Sequence, residues 1–154
     1  MANTLAAKLR SDGHAVVVVG LDTVAEMALP TLADWTWAHE VHGQLIGAWL
    51  EKPIQTVIAE GPETPGEIEQ VMRHVGSDVS VLKVLITTTY ETALARAVAD
   101  PTRGMSKDPE FLRRMYRRFE QTRPEIAYHF HFDTEELASN DIAERVIEGL
   151  LKLE

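Results

Sequence analysis

The chain has 154 residues, of which 45% are hydrophobic and 25% charged, enough for one domain with a substantial apolar core. Its net charge of -9 at pH 7 argues against a nucleic-acid partner or an anionic membrane surface, because both are bound by basic faces. The absence of cysteine excludes disulfides, thiolate nucleophiles and thiolate metal ligands. The longest apolar run, Ala15 to Val19, is too short for a membrane span, and the first residues lack signal-peptide order. We therefore expect a cytoplasmic protein in which residues 1–154 form a single domain.

The first predicted elements are a helix over residues 2–10 and, over residues 14–20, a strand with four consecutive valines. A continuous apolar run of this kind is typical of a strand that is covered on both faces. Asp22 lies just past the carboxyl end of the strand, which is where ligands bind in open parallel sheets. The longest helical pattern follows over residues 30–50 and ends before Pro53. Trp35 and Trp49 fall on one stripe of this helix, and we expect the tryptophans in the core.

A second strand is predicted over residues 56–59, and Glu60-Gly61-Pro62 follows its carboxyl end. Thr64 and Glu67 are spaced as a capping box, in which the side chain of each residue accepts a hydrogen bond from the backbone N–H of the other. They predict a helix that continues as far as Gly76.

The strand predicted over Val81 to Ile86 is the one we expect at the centre of the sheet, because it is nearly continuously apolar. Thr88 and Glu91 stand three residues apart and predict a second capping box. The helix that they open carries Arg96 and is stopped by Asp100-Pro101.

Arg96 and Arg103, near the end of this helix, suit the binding of phosphate, because the forked donors of a guanidinium match phosphate oxygens. The alternative interpretation is an exposed helix end whose arginine pairs with Asp100. The residues by themselves leave both interpretations open.

The last third of the chain predicts a helix that begins at Pro109, is capped by Asp108 and buries Phe111, Met115 and Phe119. Its exposed side carries four arginines, which are more typical of a solvated face than of a phosphate clamp. These are Arg113, Arg114, Arg117 and Arg118.

A strand over residues 128–133 and a helix that ends near Leu150 complete the predicted elements. Strands and helices alternate throughout, with no repeat and no linker. The sequence therefore predicts a doubly wound α/β domain, with a mainly parallel sheet and helices on both faces.

The histidines do not predict a metal site. His39 and His42 are three residues apart and lack the H-E-x-x-H spacing. His129 and His131 share one strand face, but no third ligand is close in the sequence.

This order of elements resembles a small P-loop kinase over nearly the whole chain. Within that superfamily, the segment GLDTVAEMALP is similar to the corresponding segment of chloramphenicol phosphotransferase-like proteins, and the layout also resembles shikimate, gluconate and nucleoside kinases. The resemblance implies an ATP-dependent phosphotransferase that uses Mg²⁺ and acts on a hydroxyl group of a small molecule. A second possibility of a different class is a non-catalytic kinase-fold or oligomeric binding domain, and a third is a nucleotide-binding regulator.

The resemblance also implies roles for four residues. Asp22 matches the acidic residue that orients or deprotonates the acceptor hydroxyl, although it can also be a turn-forming residue. Glu60 matches the group that reaches Mg²⁺, its water or the substrate, and is otherwise a loop carboxylate. Arg96 and Arg103 match the lid arginines that close over ATP and neutralise charge on the transferred group.

The chain departs from this family in two respects, a loop and a strand. It contains no G-x-x-x-x-G-K-[ST] loop, whose backbone N–H groups and lysine cradle the phosphates. Aligned with the family, Met1 falls inside the helix after this loop, and the central strand between those ending at Glu60 and Thr87 has no counterpart. We expect those two strands either to pair directly or to leave a gap, which a second copy would cover in a homodimer. We also expect the chain as given to show no thermal shift with ATP.

Overall fold

The computed structural model describes residues 1–29, 31–32, 34–101 and 103–153. Helices and parallel strands alternate along these residues, as the sequence predicts. The elements are α1 (Ala2–Ser11), β1 (Val16–Gly20), α2 (Leu21–Glu26), α3 (Thr36–Leu50), β2 (Thr56–Glu60), α4 (Pro65–Met72), β3 (Val84–Thr87), α5 (Tyr90–Ala99), α6 (Pro109–Thr122), β4 (Phe130–Asp133) and α7 (Ser139–Leu150), with short 3₁₀ turns at Met105–Lys107 and Arg123–Glu125. None of the described helices is long and apolar enough to cross a membrane.

The strands form two separate two-stranded parallel sheets. β1 pairs with β2, from Val16 opposite Thr56 to Gly20 opposite Glu60. β3 pairs with β4 in the same sense, and Thr87 at the end of β3 lies opposite Asp133. Direct pairing of the strands ending at Glu60 and Thr87, one of the two outcomes that we expected, therefore does not occur.

The chain divides into two compact units, each with one of these sheets. Unit 1 comprises Met1–Leu82 and Ser139–Glu154, and unit 2 comprises Lys83–Ala138. The assignment of residues 1–154 to one domain stays a prediction, since compact units of this size can still fold as one cooperative domain.

The core of unit 1 forms where apolar helix faces cover the β1–β2 sheet. Val19 packs against Ile46 of α3 and Val71 of α4. On α1 and α7, which pack against each other, apolar residues recur at helical spacing and are buried. These are Ala2, Leu5, Ala6 and Leu9 of α1 and Ile142, Ala143 and Val146 of α7.

The helix predicted over residues 30–50 begins later than expected. It starts at Thr36, whose N–H donates to Oδ1 of Asp34 at 3.0 Å, and a separate helix, α2, precedes it. The carboxylate of Asp34 thus offers the backbone a local turn before the helix. The predicted start at Pro30 lies outside the described residues. Trp49, which we placed on the buried stripe, is 40% exposed.

The predicted capping box of α4 is confirmed. The N–H of Glu67 donates to Oγ1 of Thr64 at 3.3 Å, and the N–H of Thr64 donates to Oε2 of Glu67 at 3.1 Å. The capping box predicted at Thr88 and Glu91 is wrong, because the N-cap of α5 is Thr89, whose Oγ1 accepts from the N–H of Thr92.

The other boundaries of unit 2 shift by a few residues. β3 covers Val84–Thr87 instead of Val81 to Ile86, and β4 begins at Phe130. The cap of α6 is confirmed, since Oδ1 of Asp108 accepts from two N–H groups of the first turn. The buried residue of α6 is Leu112, whereas the phenylalanines and the methionine expected in the core are only half-buried.

Candidate active site

Unit 1 brings two of the four predicted site residues to the same edge of its sheet. Gly20 ends β1 opposite Glu60, which ends β2, and Asp22 is the second residue of α2 directly after β1. Both carboxylates are exposed. The carboxyl ends of parallel strands share one edge, and this is where ligands bind in such sheets.

The turn after β2 depends on Gly61. Its φ is +126°, a conformation that L side chains rarely adopt, and a Cβ placed there would lie 2.5 Å from Cβ of Leu21. Leu21 is the buried residue between Gly20 and Asp22. The close approach of Gly61 to Leu21 therefore holds the two strand ends, and with them Asp22 and Glu60, at one edge.

The side chains of Asp22 and Glu60 have no hydrogen-bond or ion-pair partner within the described ranges. Their oxygens are thus available to accept hydrogen bonds from a ligand. A carboxylate at hydrogen-bond distance from an alcohol can orient it and take its proton.

Unit 2 holds the guanidinium of Arg96 beside the carboxyl end of its own sheet. Nη1 of Arg96 donates to Oγ1 of Thr134 at 2.7 Å, and Nη2 donates to the Thr134 carbonyl at 3.2 Å. Thr134 directly follows β4. Both acceptors are neutral, and no carboxylate of the described ranges lies within ion-pair distance of Arg96, so its positive charge is not neutralised by a partner.

Arg103 lies in the loop after α5, and its Nε is 3.6 Å from Oδ2 of Asp100. Both side chains are largely exposed, so this pair stabilises the fold little. The pairing with Asp100 that we considered for the helix end is therefore made by Arg103, while Arg96 binds Thr134.

Glu135, which the sequence analysis did not single out, caps α5 from outside the helix. Its Oε1 accepts from the N–H of Thr89 at 2.8 Å and from the hydroxyl of Thr88 at 3.3 Å. Hydrogen bonds from the side chain and backbone of Thr89 lower the pKa of Glu135 to about 2. Glu135 thus takes the role that we had assigned to Glu91.

We expect Glu135→Gln to make the free energy of unfolding of unit 2 less dependent on pH in the acid range. Because the pKa of Glu135 is lower in the folded than in the unfolded protein, its contribution is present above pH 4.5 and is lost as the pH falls towards 2. Urea unfolding at several pH values checks this, together with hydrogen exchange of the Thr89 amide. Glu136→Gln is the matched control, since its side chain does not cap the helix. Equal acid sensitivity in the Glu135 variant and the native protein would contradict the role of the cap.

Aromatic contacts join α6 to the start of α5. The Tyr116 hydroxyl donates to the Thr89 carbonyl at 3.2 Å, and its ring meets that of Tyr90 edge-on at 5.7 Å. Arg113 lies over the Tyr90 ring at 5.1 Å. Burial raises the pKa of Tyr116, and the charge of Arg96 partly opposes this shift. The carboxyl edge of unit 2 is therefore held by side-chain contacts on both sides of α5.

The described residues fit phosphate better than they fit a protein-held metal ion. No group of three or more His, Asp or Glu side chains suited to a metal ion occurs among them. The Arg96 guanidinium, which is exposed and not neutralised, suits a phosphate oxygen. His129 and His131 bind protein groups: Nδ1 of His129 accepts from the N–H of Lys83, and Nε2 of His131 is 2.8 Å from Oγ1 of Thr87.

Comparison with known proteins identifies the fold. No protein-family model matches the chain, and no curated protein sequence matches it. Among solved structures, the chain is similar to the Deinococcus radiodurans tunicamycin resistance protein, with a TM-score of 0.56 and 16% sequence identity, over 97% of this chain and 88% of that chain. The chain therefore has a P-loop kinase-like α/β fold, as the order of its elements predicted.

Proposed function

We propose that this P-loop kinase-like chain belongs to an ATP-dependent phosphotransferase that transfers a phosphoryl group to a hydroxyl of a small molecule. The observation that carries the proposal is the placement of two carboxylates at the carboxyl edge of the β1–β2 sheet, neither of which has a partner among the residues that the structure describes. Asp22 there is free to accept the proton of a hydroxyl group, the part that an acceptor-side base plays in phosphoryl transfer.

The arginines have the complementary role in this proposal. Phosphoryl transfer depends mainly on positioning and on positive charge around the transferred group. Arg96 is oriented by Thr134 and keeps its charge, so it would bind phosphate oxygens of ATP. Arg103, weakly paired with exposed Asp100, would exchange that partner for a phosphate when nucleotide binds.

Mg²⁺ enters the proposal through the nucleotide and not through a protein cage. Glu60 offers a single carboxylate, and Mg²⁺ usually keeps several waters and substrate phosphates as ligands. When bound, the ion would neutralise phosphate charge. Glu60 would contact one of its waters.

A second function, a kinase-fold protein that does not transfer phosphate, is favoured by one observation. The 154 residues contain no G-x-x-x-x-G-K-[ST] motif for the nucleotide phosphates. The experiment must therefore distinguish nucleotide binding from phosphoryl transfer.

We expect Asp22→Asn to lower kcat for phosphoryl transfer about a hundredfold to ten-thousandfold, the usual contribution of a positioned base. The protein is incubated with MgATP and a panel of sugars, shikimate-like acids, nucleosides and amino-alcohol antibiotics, and phosphorylated product is measured. Asp12→Asn is the matched control, because Asp12 follows α1 and precedes β1, at the opposite end of the strand. A thermal shift with MgATP is measured on the same proteins.

Transfer that is lost in the Asp22 variant and kept in the Asp12 variant supports the phosphotransferase. A thermal shift without transfer to any acceptor would favour a nucleotide-binding regulator. If neither a thermal shift nor transfer is observed, the proposal is overturned in favour of a non-catalytic protein.

A further inference from the structure

His42 of α3 is fully buried and binds the strand that leads to Asp22. Its Nε2 lies 2.9 Å from the carbonyl oxygen of Val19. A carbonyl oxygen only accepts, so Nε2 carries the hydrogen and Nδ1 of the neutral ring carries a lone pair. Nδ1 is buried and has no hydrogen-bond partner within the described ranges. A buried polar atom without a partner is uncommon in proteins and calls for an explanation.

The position of this hydrogen bond along the chain connects it to the candidate active site. Val19 is the last residue but one of β1, Gly20 is the N-cap of α2, and Asp22 is the second residue of α2. The imidazole therefore holds the backbone three residues before the proposed base. α3 also packs against α2 through Ala38, which belongs to the same buried cluster as Leu21.

The burial of His42 disfavours a second proton on its ring. Burial lowers the pKa of His42, the hydrogen bond to Val19 opposes this, and the charge of His39 lowers it further. Nε2 of His39 is itself 3.6 Å from Oε1 of Glu67, on α4. β1 contributes no titratable side chain. The other titratable groups on α3 and on the elements packed against it are Glu40, Glu69, Asp22, Glu26 and Glu60, and all of these are exposed. His74, just past the end of α4, is half-buried.

We propose that His42 is a positioning residue that makes the setting of Asp22 depend on pH, an inference that rests on the proposed function. A solvent proton taken up at Nδ1 makes the buried ring a cation with two N–H donors, and only one of them has an acceptor, the Val19 carbonyl, among the described residues. Protonation strengthens the hydrogen bond to Val19, but the buried charge is relieved only when the ring moves towards water. The junction between β1 and α2 then loses its support. Phosphoryl transfer falls for this reason at a pH where the Asp22 carboxylate is still ionised.

The direction of the pH dependence follows from the folded and unfolded states. The pKa of His42 is lowered from 6.5, so below pH 6.5 the unfolded protein binds more protons than the folded protein. The stabilisation by neutral His42 is complete above pH 6.5 and is lost as the pH falls through the lower, folded pKa. Below this pKa we expect kcat for phosphoryl transfer to decrease about tenfold for each pH unit.

The test is an NMR titration of the full protein from pH 8 to pH 5, combined with the pH profile of kcat and KM. We expect the amides of Gly20, Leu21 and Asp22 to shift with the same midpoint as the His42 imidazole. His42→Gln keeps a donor for Val19 and cannot be protonated, so it should remove this titration and the acidic limb of kcat while leaving KM unchanged. His74→Gln is the matched control, because His74 lies beside the same helix but is partly exposed.

The outcomes separate this inference from the proposed function. Amides that titrate with His42 in a protein without transfer activity would support the coupling and contradict the phosphotransferase. Amides that titrate unchanged in His42→Gln would overturn the coupling, even if transfer is observed. If His42→Gln does not fold, the native protein still decides, because a midpoint of these amides that differs from that of His42 contradicts the inference.

Discussion

Gly61→Ala should destabilise unit 1 by about 3 kcal/mol, the sum of a strained backbone conformation and an overpacked contact. The φ of +126° at Gly61 is unfavourable for alanine, and the added Cβ would lie 2.5 Å from Cβ of Leu21. Relief of this overlap would move β2 away from Leu21. We therefore also expect weaker protection of the Glu60 and Leu21 amides from hydrogen exchange.

Gly66→Ala is the matched control for this prediction. Gly66 lies in the first turn of α4, and a Cβ there has no neighbouring atom within 4 Å. Alanine should be neutral there or stabilise the helix by about 0.5–1 kcal/mol. Chemical unfolding of both variants gives the comparison. If the two substitutions have equal effects, the close approach of Gly61 to Leu21 does not hold the strand ends together.

Ile142→Ala should lower the free energy of unfolding by about 3–4 kcal/mol, near the middle of the range for isoleucine in a closed core. Ile142 is fully buried on α7, which packs against α1. The substitution removes three carbon atoms from a contact between two helices that contribute small residues such as Ala6 and Ala143. Those backbones have little freedom to move closer and fill the cavity.

Two related variants indicate whether the loss comes from burial. Ile142→Val should cost about 0.5–1.5 kcal/mol, because it leaves a smaller cavity. Ile147→Ala changes the same residue type on the same helix at a half-buried position and should cost less than Ile142→Ala. Urea unfolding followed by circular dichroism checks all three. Alanine has the higher helix propensity, so a loss at Ile147 as large as that at Ile142 would mean that the loss does not depend on burial in the core.

The local patterns that predicted elements correctly are those in which neighbouring residues satisfy one another. The Thr64–Glu67 capping box and the Asp108 cap need only contacts within a single turn. Asp22 lies just past the end of β1 as expected, because four consecutive valines are typical of a buried strand. The roles of Asp22, Glu60, Arg96 and Arg103 stay predictions.

Other features depend on residues that are distant in the sequence. The cap of α5 failed as a prediction because the acceptor for the N–H of Thr89 is Glu135, 46 residues away. The sequence offered one signal for it, since Thr134 and Glu135 directly follow a predicted strand, where ligand-facing groups collect in parallel sheets. Arg96 binds Thr134 instead of Asp100 for the same reason.

By itself, the sequence determined that this protein is built from alternating helices and parallel strands, because the periods of apolar side chains and the short-range caps are properties of neighbouring residues. The tertiary structure alone decided that the strands pair as two separate sheets and that Gly61 holds two strand ends by contact with Leu21. It also decided that His42 binds Val19 with one ring nitrogen, while the other has no partner in the described part of the chain. These features depend on which backbone groups meet across the fold. A hydrogen bond between residues 23 positions apart has no signature in either local pattern.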